Sequence, residues 1–163
     1  MNSRRTSPGA DSVLREHLIE LLQGGHAHLT LDKAIRGFPL DRAGVRPKGS
    51  PHSAWELLEH MRLAQNDILR FSQSADYISP PFPEGYWPKS PAPERESHWT
   101  ASLRKYRKDL AEFEATIADT GQNLRRRFPW GTGQTLLREA LLLADHNAYH
   151  LGQLVLVRRL VEG

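Results

Sequence analysis

The sequence predicts an all-α protein, a four-helix bundle with a long proline-rich crossover between the second and third helices. Four segments place apolar residues at spacings of three and four, the period of a helix with one buried face. No segment competes with them by alternating polar and apolar residues, as a half-buried strand does. The 163 residues suit one domain with a single core. We therefore expect a single domain over residues 1–163, with residues 1–10 flexible.

The first predicted helix follows Asp11 and Ser12, two residue types that often cap helix N-termini. Its apolar stripe is formed by three leucines: Leu14, Leu18 and Leu21. The following residues 26–37 either continue this helix or restart it at Thr30.

The second predicted helix begins at Ser53, because Glu56 follows three residues later in the pattern of a capping box. Its buried stripe contains Leu57, Met61, Ala64, Ile68 and Phe71. The third helix, roughly residues 96–119, repeats the same spacing with Trp99, Leu103, Tyr106, Leu110, Phe113 and Ile117. The fourth runs from Thr135 to about Val161 and is apolar around much of its surface, so we expect it to be the most buried helix.

The crossover between the second and third helices, residues 74–94, contains six prolines, which exclude a continuous helix. It is too long for a tight turn and can cross the bundle from one end to the other. One interpretation is a segment that is only pinned to the bundle. The other is a lid, in which aromatic side chains pack over a cavity: Tyr77, Phe82, Tyr86 and Trp87.

The composition excludes several classes of protein. The chain has no cysteine, which rules out disulfides, thiolate-rich zinc sites and a cysteine nucleophile. No apolar run approaches the roughly 18 residues of a membrane span, and the polar N-terminus lacks the apolar region of an export signal. We therefore expect a cytoplasmic protein with no membrane partner. The net charge of +3 includes 19 acidic residues, so nucleic acid is not an expected partner.

The segment NLRRRFPW, residues 123–130, is the feature that favours a nucleic-acid-binding module. Arginines bind phosphates, and aromatic rings stack on bases. The alternative is a helix C-terminus, where cations interact favourably with the helix dipole, followed by a turn at Pro129 and Gly131. We interpret the segment in this second way.

Eight histidines are present, and their positions divide them into two groups. Five lie near predicted helix ends, in turns or on polar flanks: His17, His26, His28, His52 and His98. His60, His146 and His150 instead share faces with apolar residues, and the last two lie one helical turn apart. An unpartnered buried polar group costs about 1–3 kcal/mol, whereas a divalent ion accepts a lone pair from each imidazole. We therefore predict a metal site formed by these three histidines.

The surroundings of this site are less well determined by the sequence. Asn147 stands where the metalloprotease motif His-Glu-x-x-His has its glutamate base, which disfavours peptide hydrolysis by that mechanism. No catalytic residue is identified. The candidates for orienting the imidazole rings through their second N–H groups are Glu59, Glu139, Asp145 and Gln153. For the three acidic residues, a role on the surface is the favoured interpretation.

Two stretches, HSAWELLEHMRLAQNDILRF and LLREALLLADHNAYHLGQLVLVRRL, resemble the DinB-like superfamily of DinB- and YfiT-like four-helix bundles. The resemblance implies that the family's three metal-binding histidines are His60, His146 and His150. It also implies a divalent metal, frequent homodimers, and either the transfer of a low-molecular-weight bacterial thiol or a maleylpyruvate isomerase-like activity. One departure is Leu151, which stands where relatives often carry arginine.

The expected function is that of a metal-dependent transferase that joins a low-molecular-weight thiol to an electrophilic small molecule. The thiol has to come from a cofactor, because the chain contains no cysteine. The resemblance implies zinc or nickel as the metal, and iron and manganese are alternatives because histidine ligands also suit them. The alternative functions are a metal-dependent hydrolase and a non-catalytic, metal-stabilised dimer.

Overall fold

The computed structural model describes residues 10–163, and within this range it is all-helical, with no β-strand. Its α-helices are α1 (Ala10–Gln23), α2 (Leu31–Ile35), α3 (Ala54–Gln73), α4 (Glu96–Ala118) and α5 (Leu136–Glu162). The four long helices, α1, α3, α4 and α5, form the predicted bundle. The expected flexibility of residues 1–10 concerns a segment that lies, up to residue 9, outside the described residues.

Helix α1 differs from its prediction at both its start and its buried face. It begins at Ala10, so Asp11 lies in its first turn instead of capping it. The stripe also turns away from Leu21, which is 51% exposed, and continues through the buried Leu22. Leu22 lies four residues after Leu18, a full helical turn, and both leucines join one core cluster.

The starts of α2 and α3 are fixed by side-chain caps. The cap at Ser53 was predicted, and the cap at Thr30 decides between the two alternatives for residues 26–37. The Thr30 hydroxyl accepts the backbone N–H of Lys33, so the chain restarts as a new helix. At α3, the Ser53 hydroxyl accepts the N–H of Glu56, and the Glu56 carboxylate accepts the N–H of Ser53 at 2.8 Å. This reciprocal capping box sets the register of α3, and with it the direction in which every side chain of that helix points.

Helix α3, not α5, is the most deeply packed helix. It lies between α4 and α5 and exposes no large hydrophobic side chain. The prediction that α5 is the most buried is wrong, because α5 packs on α3, α1 and α2 with one side and leaves the other uncovered. The exposed apolar residues of α5 are Leu141, Leu142, Tyr149, Leu156 and Leu160.

The proline-rich crossover is attached to the bundle at several points. The Tyr86 hydroxyl donates to the Asp67 carboxylate of α3 at 2.8 Å, and burial followed by this bond raises the pKa of Tyr86 to about 12. The Ser53 hydroxyl donates to the carbonyl of Pro91. At Gly44 the crossover passes so closely that an added Cβ would lie 2.3 Å from the Ala92 side chain. The crossover is therefore held tightly against the α3 side of the bundle.

The segment 123–130 is not a helix end, contrary to the prediction. Helix α4 already ends at Ala118, and α5 begins at Leu136, so the three arginines lie in the loop between them. Leu124 in this loop is buried and anchors it to the core. None of the helices within residues 10–163 is long and apolar enough to cross a membrane.

Candidate metal centre

Three imidazole rings converge between α3 and α5. His60 lies on α3, and His146 and His150 lie one turn apart on α5, on the face that packs against α3. The Nε2 atom of His60 is 3.1 Å from the Nε2 atoms of both His146 and His150. Within residues 10–163 these histidines are the only group of three or more potential ligands with their ligand atoms within 4.8 Å of one another. The structure thus brings together the three residues that the sequence predicts.

The hydrogen bonds of two rings determine which nitrogens carry hydrogen. The Nδ1 atom of His60 donates to the carbonyl oxygen of Tyr86 at 2.8 Å. The Nδ1 atom of His150 donates to the side-chain oxygen of Gln153 at 2.7 Å. Both acceptors lack a hydrogen to give, so in each neutral ring the hydrogen is on Nδ1 and the lone pair is on Nε2. Two lone pairs therefore face each other at 3.1 Å, an arrangement that a cation between them would stabilise.

The two distances from His60 Nε2 to the other rings fit a small divalent ion. Bonds of about 2.0–2.1 Å from a common ion to two nitrogens 3.1 Å apart would subtend an angle of about 100°. This angle lies between the tetrahedral and octahedral values. Nitrogen ligands of this kind suit zinc and nickel, and also iron and manganese.

Burial keeps the three rings in the form that can bind a metal. It lowers the pKa of His60 and His150, and together with the neighbouring histidines it lowers the pKa of His146 to about 4. At neutral pH all three imidazoles are therefore uncharged and have lone pairs available. A ligand set that is already deprotonated loses no binding energy to proton release.

The crossover covers one side of the cluster. Trp87 stacks on His60 with ring centroids 3.9 Å apart and planes within 1° of parallel. His52 stacks on the other face of Trp87 at 4.0 Å. The contact between Trp87 and His60 therefore favours the interpretation of the crossover as a lid.

Two of these contacts were not predicted. The Tyr86 carbonyl is a backbone group, and nothing in the sequence marks a particular carbonyl as the partner of a histidine. His52 occupies a local turn as expected, since its carbonyl accepts the Ser50 hydroxyl at 2.7 Å. Its stacking on Trp87 depends on how the crossover folds back, which helix periodicity does not predict.

Of the four candidates for orienting the imidazole rings, Gln153 bonds to one of the rings and Glu59 does not. The Glu59 carboxylate accepts both N–H groups offered by Arg62, each at 2.8 Å, and the hydroxyl of Ser102 on α4. It therefore points away from α5. His60 is its neighbour in sequence, but successive helical residues point about 100° apart.

The other two acidic candidates also lie elsewhere. Glu139 is buried, and its carboxylate pairs with Arg138 at 2.8 Å. Asp145 is exposed on the outer side of α5. Neither makes a hydrogen bond to the three rings, so no carboxylate among the described residues is placed to accept a proton from them.

One ring nitrogen lacks a partner. The Nδ1 atom of His146 is buried without a hydrogen bond, and so is the side-chain oxygen of the adjacent Asn147. The amide nitrogen of Asn147 donates to the side-chain oxygen of Gln65 at 3.2 Å and to the Tyr106 hydroxyl at 3.0 Å. These bonds fix the orientation of the Asn147 amide, so its unpartnered atom is the oxygen.

The remaining histidines lie apart from the cluster, as predicted. His17 pairs with Glu20 at 3.2 Å, and the ring of His28 donates to the carbonyl of Leu29 at 2.8 Å. His26 is exposed, and His98 lies in the first turn of α4.

The family is identified by a sequence profile. The profile of the DinB superfamily matches residues 25–154, a range that includes all three converging histidines. No curated protein and no solved structure matches the chain. The match covers most of the chain and agrees with the all-helical architecture. The chain belongs to the DinB superfamily.

Proposed function

We propose that His60, His146 and His150 bind one divalent metal ion, most readily zinc or nickel. The observation that carries the proposal is the pair of Nε2 lone pairs facing each other at 3.1 Å, in rings whose Nδ1 hydrogens are already donated elsewhere. Burial of three uncharged imidazoles without a common partner would be unfavourable. A bound ion turns this arrangement into a stabilising one.

We further propose that the site joins a low-molecular-weight thiol to an electrophilic small molecule. A divalent ion with three protein ligands keeps open coordination positions and lowers the pKa of a bound thiol. The thiol proton would pass to solvent, and the thiolate sulfur would form the new bond to the electrophilic carbon. As that bond forms, either a π bond of the carbon would open and its other end would take a proton from solvent, or a leaving group would depart with its bonding electrons. Because the chain has no cysteine, the thiol is a separate molecule.

The surrounding residues have distinct roles in this reaction. The Tyr86 carbonyl and Gln153 hold the rings of His60 and His150 in their metal-binding orientation. Trp87 covers His60 and excludes water from that side, which protects a thiolate from competition by hydroxide.

The arrangement supports a transferase more than the alternative hydrolase. Metal-dependent hydrolysis of the metalloprotease type uses a carboxylate beside the metal as general base. The nearby acidic side chains are turned away or paired, and Asn147 cannot take up a proton.

The exposed apolar side of α5 supports a homodimer. Leu142, Tyr149 and Leu156 lie at intervals of seven residues on one side of the helix. A second copy of the chain packing there would remove this apolar area from water. Tyr149 also packs edge-on against His150, with ring centroids 4.8 Å apart, so the partner would lie next to the candidate metal centre.

The transferase proposal is tested by following thiol consumption. Purified protein loaded with zinc or nickel is mixed with a set of low-molecular-weight bacterial thiols and a reactive model electrophile. We expect metal-dependent loss of one of the thiols, and loss of that activity in His146→Ala. The matched control is His17→Ala, which removes an exposed histidine far from the cluster and leaves activity unchanged. Equal rates for wild type and His146→Ala would contradict the transferase, and metal-dependent hydrolysis without any thiol would favour the hydrolase.

A further inference from the structure

A cavity lies where α3 and α4 end and α5 begins. Its volume is about 470 Å³, and its wall includes Ser72 at the end of α3. Ser72 follows His60 by twelve residues, which is about 18 Å along the helix. The loop between α4 and α5 contributes polar, positively charged and aromatic side chains to the wall: Gln122, Asn123, Arg126, Arg127, Phe128 and Trp130.

The cavity is lined by hydrogen-bond donors and has no acidic side chain on its wall. Arg126 and Arg127 are exposed and make no ion pair with any described residue. Their neighbour Arg125, by contrast, pairs with Asp11 at 3.0 Å and lies outside the cavity. The side-chain oxygen of Asn123 accepts backbone N–H groups of the loop, which leaves its amide nitrogen as a further donor.

A flat aromatic wall accompanies these donors. The rings of Phe128 and Trp130 stack with centroids 5.0 Å apart and planes within 2° of parallel. The Trp130 indole N–H donates to the carbonyl of Phe71 at 2.9 Å, which holds the ring pair against the end of α3. Both side chains are half-buried, so the wall is held in place and partly open to solvent.

We propose that this cavity binds a phosphorylated ligand that carries a planar ring, with a nucleotide as the representative chemistry. Guanidinium groups match the geometry of phosphate oxygens, and two uncompensated ones in one cavity favour an anion. Aromatic side chains stack on planar bases without requiring a particular base. The loop between α4 and α5 would then form a ligand site that is separate from the histidine cluster.

The test is a titration of the full-length protein with adenosine triphosphate, followed by calorimetry. We expect saturable binding that is at least about tenfold weaker in the double variant Arg126→Ala, Arg127→Ala, since both charge-assisted bonds to phosphate are lost. The matched control is Arg125→Ala, which removes an equal charge from the same loop and leaves binding unchanged. Both arginines are exposed, so helical content by circular dichroism stays the same.

Two further titrations distinguish the sources of the ligand. Stronger binding of a single-stranded oligonucleotide, with a steep dependence on salt and on the same two arginines, assigns the site to a nucleic-acid strand. Binding of the mononucleotide alone assigns it to a free nucleotide. Absence of saturable binding to both, or equal binding by wild type and the double variant, overturns the proposal.

Two buried atoms without a hydrogen bond, His146 Nδ1 and the side-chain oxygen of Asn147, support a second inference, which rests on the proposed metal. We infer that Asn147 positions His146 by accepting its Nδ1 hydrogen. Metal binding through Nε2 leaves that hydrogen on Nδ1, and the other two rings each have an acceptor at this position. His146 Nδ1 and the side-chain oxygen of the next residue, Asn147, are both buried without a hydrogen bond, and Gln65 and Tyr106 hold the amide nitrogen of Asn147.

Three variants separate this positioning role from a merely structural one. Asn147→Leu removes the acceptor, and we expect metal affinity to fall about 10–100-fold. Asn147→Asp also loses the bonds to Gln65 and Tyr106 but keeps an acceptor, so it retains metal affinity. Tyr106→Phe loses one of those bonds and leaves the acceptor in place, so it also retains metal affinity.

Metal affinity is measured by competition with a chelator, and the ligand geometry by the visible spectrum of the cobalt-substituted protein. Equal loss of affinity in the Leu and Asp variants would assign Asn147 a purely structural role and overturn the inference. Unchanged affinity in Asn147→Leu would overturn it as well. If wild type binds no metal at all, the proposed metal site fails, and this inference fails with it.

Discussion

Removal of the metal is expected to destabilise the whole bundle, because the proposed site joins its two central helices. His60 belongs to α3 and the other two ligands belong to α5, so the ion would crosslink elements that pack face to face. A ligand that binds only the folded chain stabilises it by about 4 kcal/mol when present at about 1,000 times its dissociation constant. For a chain of this length, each kcal/mol corresponds to about 2–4 °C in Tm. A strong chelator should therefore lower the Tm by about 8–16 °C.

The assay is thermal unfolding followed by circular dichroism, first with zinc, then with chelator, then after zinc is restored. His150→Ala should melt at the same temperature with and without metal, because two ligands remain from a set of three. His17→Ala, in which an exposed histidine is removed, should show the full shift. The reasoning is refuted if chelation leaves the wild-type Tm unchanged, or if His150→Ala shows the same shift as wild type.

Three further predictions concern pH, the crossover and the exposed side of α5. Burial lowers the pKa of His146 from 6.5 to about 4, so between these values the unfolded chain binds a proton that the folded chain does not. The free energy of unfolding of the metal-free chain, measured in urea, should therefore fall as pH falls from 6.5 towards 4; a constant value would contradict this. Tyr86→Phe should lower the free energy of unfolding by about 1.5–3 kcal/mol, because it removes the hydrogen bond to the Asp67 carboxylate. An unchanged urea midpoint would count against that contact. Leu156→Glu should convert a homodimer to a monomer in light scattering, and a wild-type mass of 18.5 kDa would rule the dimer out.

Helix periodicity and capping predicted the parts of the fold that depend on local sequence. The capping box of Ser53 and Glu56 sets the start of α3, and the apolar stripe of α4 is buried apart from the half-buried Leu110. The predictions of buried residues were wrong where two local patterns are equally good and tertiary packing decides between them. Leu21 and Leu22 both fit an apolar stripe, and the orientation of α1 on its neighbours determines which of them is buried.

In the candidate site, too, the features that depend on helical geometry were predicted from the sequence, and the contacts of the crossover were not. His146 and His150 are one helical turn apart, so their common face follows from local geometry. Their approach to His60 was predicted from its position on an apolar stripe. The contacts made by Tyr86, Trp87 and His52 arise from the path of a proline-rich segment, which no periodic pattern describes.

Proximity in sequence to the three histidines does not determine which side chains contact their rings. Glu59 adjoins His60 in the chain, yet its carboxylate pairs with Arg62 on the side that faces α4. Gln153, three residues after His150, reaches its ring because residues three apart lie on the same side of a helix. Helical geometry, and not distance along the sequence, separates the correct candidate from the wrong one.

The most direct test of the account is the metal content of protein purified without added metal. Elemental analysis by mass spectrometry should find about one zinc or nickel ion per chain in wild type, as expected for a site with one set of three ligands. The same measurement on His60→Ala should find most of the metal lost while circular dichroism shows the helices intact. A wild-type chain that contains no metal, or a His60→Ala variant with full occupancy, would contradict the central claim that these three histidines form a metal site.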